Sequence, residues 1–416
     1  MVRIGYLVPE FPGQTHIFFW RELRSLREMG VECDLISTKR PPMRIISHSW
    51  SREAMARTTY LSPPTFGAIR AAVGALARSG PLGWWRVARA IAGAEVTGPA
   101  RRIRLCGLAL GGAHLAALAR RREWRHLHVH SCADSAHLAM FAHLIGGIPY
   151  SVMLHGPMED YGPNQTMKWR HAAFGIVITR KLLQEVRTAL GKLERLDVEV
   201  APMGVNIREF VRSTPYIPWS GSGPFRIYAC GRLNPCKGHD DLIRAVGLLH
   251  AAGIDARLQI AGADDSRGLY QRSLEALIAE LQLQDAVTLL GAVAEDRVRR
   301  GLEESHVFAL ASLHEPLGVA IMEAMAMELP VVVTRAGGVP ELVSDGVDGV
   351  LVDPRSPEDL ARGLTRIARD PELAKRIAAP ARMKIESAFQ SDQSARVLVR
   401  RVTSVDLASR GTASAA

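Results

Sequence analysis

With 416 residues, 47% of them hydrophobic and 23% charged, the chain is too long for one ordinary core and too apolar for disorder, so two or three domains are expected. Met1 runs straight into a strand-like segment without a charged lead or a small-residue cleavage site, and no uncharged apolar run reaches the roughly 18–20 residues of a membrane span, so a cytoplasmic protein is expected. The formal charge of +10 sits almost wholly between Phe66 and His126, which hold eleven Arg against Glu95 and Glu123, and the five scattered cysteines, with no CxxC spacing, argue against a disulfide framework or a zinc site.

In chain order, a strand over 3–8, a loop over 9–14, a helix over 15–29 and a strand over 32–37 open the fold as a βαβ unit without a GxGxxG fingerprint. Thr15 is expected to cap that helix and Gly30 to end it, with Ile17, Phe18, Leu23 and Leu26 on its apolar face. An Ala-, Leu- and Arg-rich helical region over 63–125 follows, broken at Gly80-Pro81 and Gly98-Pro99. Alternation then resumes with strands over 126–130, 150–154, 176–179 and 198–201, and helices over 135–144 and from Lys181. Residues 206–224, which include Ser213-Thr214-Pro215 and Ser220-Gly221-Ser222-Gly223-Pro224, read as a linker. Strands over 226–229, 257–260, 287–290, 307–310, 331–334 and 350–352, with helices between them, make a second parallel sheet. The reading is therefore α/β: a first domain over 1–205, a linker over 206–224, a second domain over 225–390, and a C-terminal helix with a frayed tail over 391–416. Two such sheets leave a cleft between their carboxyl ends.

Two short segments carry chemistry. Arg232 and Lys237 follow the first strand of the second domain, and a guanidinium fork beside an ammonium suits two linked phosphates, although a lone Arg-x4-Lys reads as readily as surface cations in a polar loop. Glu315-Pro316-Leu317-Gly318-Val319 joins the strand over 307–310 to a helix, whose free amides can meet phosphate or hydroxyl groups. Glu315 stands before the helix and Glu323 two turns along it, among largely apolar neighbours, which disfavours reading them as solvated carboxylates.

Gly231-Arg232-Leu233, Lys237-Gly238, Gly262, Gly291, Glu315-x7-Glu323 and Gly337-Gly338-Val339-Pro340-Glu341, taken as an ordered set, resemble the donor-binding domain of family 4 retaining glycosyltransferases of GT-B fold. More loosely, His126-Leu127-His128-Val129-His130, the segment from Ile148 to Gly156 and Met203-Gly204-Val205-Asn206 resemble the first domain of bacterial exopolysaccharide transferases of the colanic-acid type. The resemblance implies two Rossmann-like, doubly wound parallel-sheet domains facing across a cleft. It implies His155, Arg232, Lys237 and Glu315 as the catalytic set, and Gly13, Arg232, Lys237, Gly291, Val293, Glu315, Leu317, Gly318, Val319 and Glu323 around a nucleotide-sugar donor, with Glu315 on the sugar and Glu323 on the ribose. Taken alone, His155 reads as a polar cap after a strand and Gly13 as a turn. The chain departs from the family in carrying Leu317 where Phe is frequent, and Ala263-Asp264 after Gly262 where a second glycine is usual.

The same resemblance implies a retaining mechanism. With no third carboxylate placed as a nucleophile, front-face displacement is the expected route, in which the leaving phosphate takes the acceptor's proton. Asp264 and Asp265 are adjacent, so no D-x-D motif is present and neither a metal nor a cofactor is expected. The expected partners are a nucleotide sugar and a glycan or lipid-linked glycan. Non-hydrolysing nucleotide-sugar 2-epimerases and a non-catalytic binding protein are the alternatives, both disfavoured by the intact Arg232/Lys237/Glu315/Glu323 set. The Arg-rich region with Trp84-Trp85 is open to three readings: a solvated helical face, a surface for anionic lipid or a lipid-diphosphate acceptor, or a nucleic-acid site. One-sided Arg with Trp favours peripheral association of residues 66–126 with the inner face of the cell membrane, and no nucleic-acid-binding module is recognisable.

Overall fold

A computed structural model describes residues 2–13, 15–42, 48–194, 196–264 and 266–414, with side chains described as far as residue 407. The first domain runs β1 (Val2–Glu10), α1 (Ile17–Glu28), β2 (Val31–Lys39), α2 (Ser51–Arg57), β3 (Thr59–Tyr60), α3 (Phe66–Ala92), α4 (Pro99–Arg121), β4 (His126–Val129), α5 (Asp134–Gly146), β5 (Tyr150–Leu154), α6 (Gln165–Arg170), β6 (Phe174–Val177), α7 (Arg180–Leu190) and β7 (Val198–Val200). The second runs β8 (Phe225–Cys230), α8 (His239–Ala251), β9 (Ala256–Ala261), α9 (Leu269–Glu280), β10 (Val287–Gly291), α10 (Glu295–Glu304), β11 (Val307–Leu310), α11 (Val319–Ala326), β12 (Val331–Thr334), α12 (Val339–Leu342), β13 (Val350–Val352), α13 (Pro357–Arg369), α14 (Pro371–Ala388) and α15 (Gln393–Ser414).

The sheet orders are β3-β2-β1-β4-β5-β6-β7 and β10-β9-β8-β11-β12-β13, and every pairing given is parallel. Strands buried on both faces carry near-continuous apolar runs, as in Val331-Val332-Val333, rather than alternation. In each sheet the winding reverses beside the first strand, between β1 and β4 and between β8 and β11. Loops leaving the carboxyl ends of those strands diverge and open a crevice.

Two expectations are corrected. Thr15 does not cap α1: the turn closed by His16 N donating to Gly13 O (3.0 Å) delays the helix by a residue, so His16 takes the cap position and Thr15 is exposed. Ile17 and Phe18 are only half-buried and line the interdomain cleft. The buried side of α1 also includes Arg21, which Glu323 of the second domain meets, and Glu22, which lies on the first sheet against Tyr6 and His130. The segment read as a linker is held to the second domain, where Ser213 N donates to Glu303 Oε1 (2.6 Å) and Tyr216 OH to the His306 carbonyl (2.7 Å). The expected tail falls partly in α15, and Ala415, Ala416, Gln14 and Asp265 lie outside the described residues.

α3 bends at Gly80, whose φ of +62 is accessible to glycine, ahead of Pro81. α4 is long and apolar enough by composition to cross a bilayer. Here it packs against α3 and α5. A methyl on Gly112 would stand 2.5 Å from Phe141 Cβ, so a small residue is what lets α4 and α5 approach.

The chain crosses between domains twice, side by side. Val205 N donates to the Phe389 carbonyl (2.9 Å), and Ser391 N to the Val205 carbonyl (3.1 Å). From there α15 returns to the first domain, where Arg400 pairs with Glu199 and Arg401 with Asp197.

Candidate functional site

The two crevices face each other and form one cavity. Its lining includes Arg232, Lys237, Val293, Glu315, Leu317, Gly318, Val319 and Glu323 from the second domain, and His155, Phe18 and Arg21 from the first. Gly13 and Gly291 stand beside this lining rather than in it. Gly13 shapes the turn before α1, and Gly291, at φ +67, ends β10 and accepts from Gly262 N (2.8 Å).

At the second sheet's reversal point, the loop after β8 carries Arg232 and Lys237, and the loop after β11 carries Glu315. Their strands are neighbours, so residues 78 apart in sequence meet: Lys237 Nζ lies 2.5 Å from Glu315 Oε2, which also accepts from Ser312 Oγ at 3.2 Å. Glu315 is 6% exposed, and burial this deep requires such partners. Gly337, at φ +60, packs on the same loop, and a methyl there would stand 2.1 Å from the Glu315 carbonyl oxygen. Gly338 N donates to that oxygen at 2.9 Å. α11 is apolar except for Glu323 and buried from Ile321 to Ala326, and its N-terminal residues Gly318 and Val319 line the cavity.

Glu323, about one turn into α11, accepts from Arg21 Nη2 of α1 at 2.7 Å, which makes a buried bridge between domains. The Arg21 guanidinium also stacks on Phe210, 5.1 Å from its centroid. Two further carboxylates cross the cleft. Glu295 Oε2 lies 3.3 Å from His48 Nδ1, and this contact with the Ser49 bonds holds the Glu295 carboxyl down to about 2. Glu341 accepts from Arg180 N and Lys181 N, both at 2.8 Å, at the start of α7. None of Arg21, His48 or Glu295 was singled out from the sequence. Their only sequence signal is polarity at a helix or loop start, which usually means solvent.

His155 follows β5 and hangs over the cavity from the first domain, between Phe18 and Phe19 with ring centroids at 5.5 and 5.3 Å. Its loop faces the Glu315 loop, since a methyl on Gly156 would lie 3.9 Å from Pro316 Cγ. Burial pushes the His155 ring well below the usual imidazole range. Burial, and then the positive charge of Arg232, push His16 down to about 4. Burial raises the Cys230 thiol in the lining to about 12, so it is no thiolate nucleophile. Asp264, next to Gly262, is occupied by Ser266 and by Gln271 N (2.7 Å). Among the described residues, one buried group could hold a metal: Glu22, His128 and His130, with ligand atoms within 4.8 Å of one another.

Residues 220–384 match the family model described as Glycosyl transferases group 1. The chain is 32% identical to an uncharacterized glycosyltransferase of Methanocaldococcus jannaschii, over 47% of this chain and 50% of that protein. It is also 32% identical to the putative colanic acid biosynthesis glycosyltransferase WcaL of Salmonella typhimurium, over 46% of this chain and 47% of that protein. It thus spans about half the length of the curated relatives it matches. The crystal structure of Anabaena Alr3699/HepE in complex with UDP superposes over 100% of both chains with a TM-score of 0.70 at 17% identity. With two parallel-sheet domains facing across a cleft, the fold is GT-B.

Proposed function

We propose that this chain, whose residues 220–384 match the group 1 glycosyl transferases, moves a sugar from a nucleotide-sugar donor to a glycan acceptor in exopolysaccharide synthesis, with retention of configuration. The observation that carries this reading is the Lys237–Glu315 pair at the sheet's reversal point, with Arg232 on the same loop and His155 across the cavity. Arg232 and Lys237 stabilise the two phosphates as the anomeric carbon–oxygen bond breaks. The acceptor hydroxyl attacks from the same face and its proton passes to the departing phosphate oxygen. Glu315, held by Lys237 and Ser312, accepts from hydroxyls of the donor sugar. Glu323 gives one oxygen to Arg21, which leaves the other for the ribose diol. Two side-chain cations supply the charge, so turnover is expected to persist in EDTA.

The acceptor is a lipid-linked glycan, and the protein works peripherally at the inner face of the membrane. What supports this is the α3–α4 surface, where Trp84 (53% exposed), Trp85 (55%), Phe66 (83%) and Ile103 (70%) stand among exposed Arg. The test is a panel of nucleotide sugars offered to the purified protein, read for binding, slow hydrolysis and, with acceptor, product anomer. No binding across the panel, or an inverted product, would overturn the reading.

A further inference from the structure

Beneath the His155 loop runs a line of buried polar groups that the donor-holding residues do not use. Tyr6 of β1 donates its hydroxyl to Glu22 Oε2 of α1 at 2.5 Å. The same oxygen lies 3.2 Å from His130 Nε2, within charge contact but outside hydrogen-bond geometry. His130 Nδ1 in turn lies 3.1 Å from His155 Nε2. Tyr6, Glu22 and His130 are 0%, 1% and 3% exposed, so only His155 meets the cavity. Phe19 packs edge-on against both rings, at 4.7 Å from His130 and 5.3 Å from His155.

The order of these groups dictates where the protons stand. A carboxylate only accepts, so the His130 nitrogen facing Glu22 carries hydrogen. A neutral imidazole with its hydrogen on Nε2 has a lone pair on Nδ1, so His155 Nε2 must donate to it. The hydrogen on His155 is then spent inward, and Nδ1, the nitrogen left for the cavity, bears a lone pair. The reverse order would set the His130 lone pair against Glu22 Oε2, two acceptors at 3.2 Å. A buried carboxylate that fixes the tautomer of a working histidine is the logic of serine-protease triads, here extended by one ring.

We infer that Glu22 and His130 are positioning residues that hold His155 as a hydrogen-bond acceptor toward the cleft, so that the site selects a donor sugar presenting a hydroxyl hydrogen at that point. The selectivity half of this inference rests on the function proposed above; the tautomer half does not. Two arms separate them. In full-length protein labelled with 15N-histidine, His155 is expected to show a protonated Nε2 and a bare Nδ1 without any ligand. Glu22→Gln keeps the shape and removes the charge, and it is expected to blur that pattern. In turnover, a series of monofluorinated donors should contain one member slowed at least tenfold in kcat/KM, because fluorine cannot donate, and Glu22→Gln should narrow that gap. A uniform loss for all donors would indicate a merely structural role and overturn the positioning role. A His155 protonated on Nδ1 in the wild type overturns the inference outright, as does a stoichiometric metal on His130 Nε2, which would force hydrogen onto Nδ1. A correct tautomer with no turnover of any nucleotide sugar would sink the proposed function and the selectivity together, and leave only the proton order standing.

Discussion

Replacing Lys237 with Met separates what the Lys237–Glu315 pair does for stability from what it does for transfer. The side chains are 14% and 8% exposed, so Lys237→Met leaves a carboxylate with little water and one hydroxyl partner, Ser312 at 3.2 Å. Removing one member of a buried pair costs about 3–5 kcal/mol, and the remaining hydroxyl argues for the lower end. At ~2–4 °C per kcal/mol for a domain of this size, Lys237→Met should melt about 6–12 °C lower. Adding Glu315→Gln removes the stranded charge, so the double variant should regain most of that loss in a double-mutant cycle read by calorimetry. Turnover behaves differently, because the charge facing the diphosphate stays missing. Both variants should lose about 10²–10³ in kcat, the usual scale for one group that stabilises developing charge. If the double variant regained activity along with stability, Lys237 would serve only to neutralise Glu315, and its role on the leaving group would be refuted.

Glu341→Ala removes the acceptor for two main-chain amides at the start of α7, so urea titration should show a loss of about 1–2 kcal/mol; an unchanged midpoint would deny the contact any energetic weight. Stability should also fall with acid. Burial holds fully enclosed His126 down to about 3 and His239 to about 4, so below the ordinary value of 6.5 the unfolded chain binds protons that the folded chain refuses. The stability these rings contribute is complete above pH 6.5 and lost progressively toward pH 4, with about two protons taken up by this pair alone on unfolding near pH 5. Identical urea midpoints at pH 7 and pH 5 would contradict this. Flotation on vesicles containing anionic lipid should exceed that on neutral vesicles, and Trp84→Ala/Trp85→Ala should lower it several-fold; no preference for anionic lipid would remove the membrane assignment.

The strands were largely legible because parallel sheets buried on both faces leave unbroken apolar runs, so β5, β11, β12 and β13 fall where the sequence places them. The two-residue β3 and short α2 offered too few positions for any period to emerge. The donor-side candidates were legible because Arg232, Lys237, Glu315 and Glu323 sit on local strand-to-helix turns with recognisable spacing. Arg21 and Glu22 were not. Helical spacing assigns them to a polar face, but a second domain covers Arg21 through Glu323, 302 residues away, and the first domain's own sheet covers Glu22 through Tyr6 and His130. His130 likewise reads as the end of a strand, because its partners Glu22 and His155 come from two other elements.

The paired crossings at Val205 and Gln390 make the connection between domains a door hinge rather than a string. A single tether permits bending and twisting in any direction, whereas two crossing segments joined by a parallel bridge, with α15 fixed across by Arg400 and Arg401, would restrict the domains to fewer rotations. Any rotation about the line of that bridge would move the His155 loop relative to the Glu315 loop along one arc. Cutting the chain after Gln390 would leave each sheet intact but free the swing to wander, so the loss would fall on how often the two loops realign.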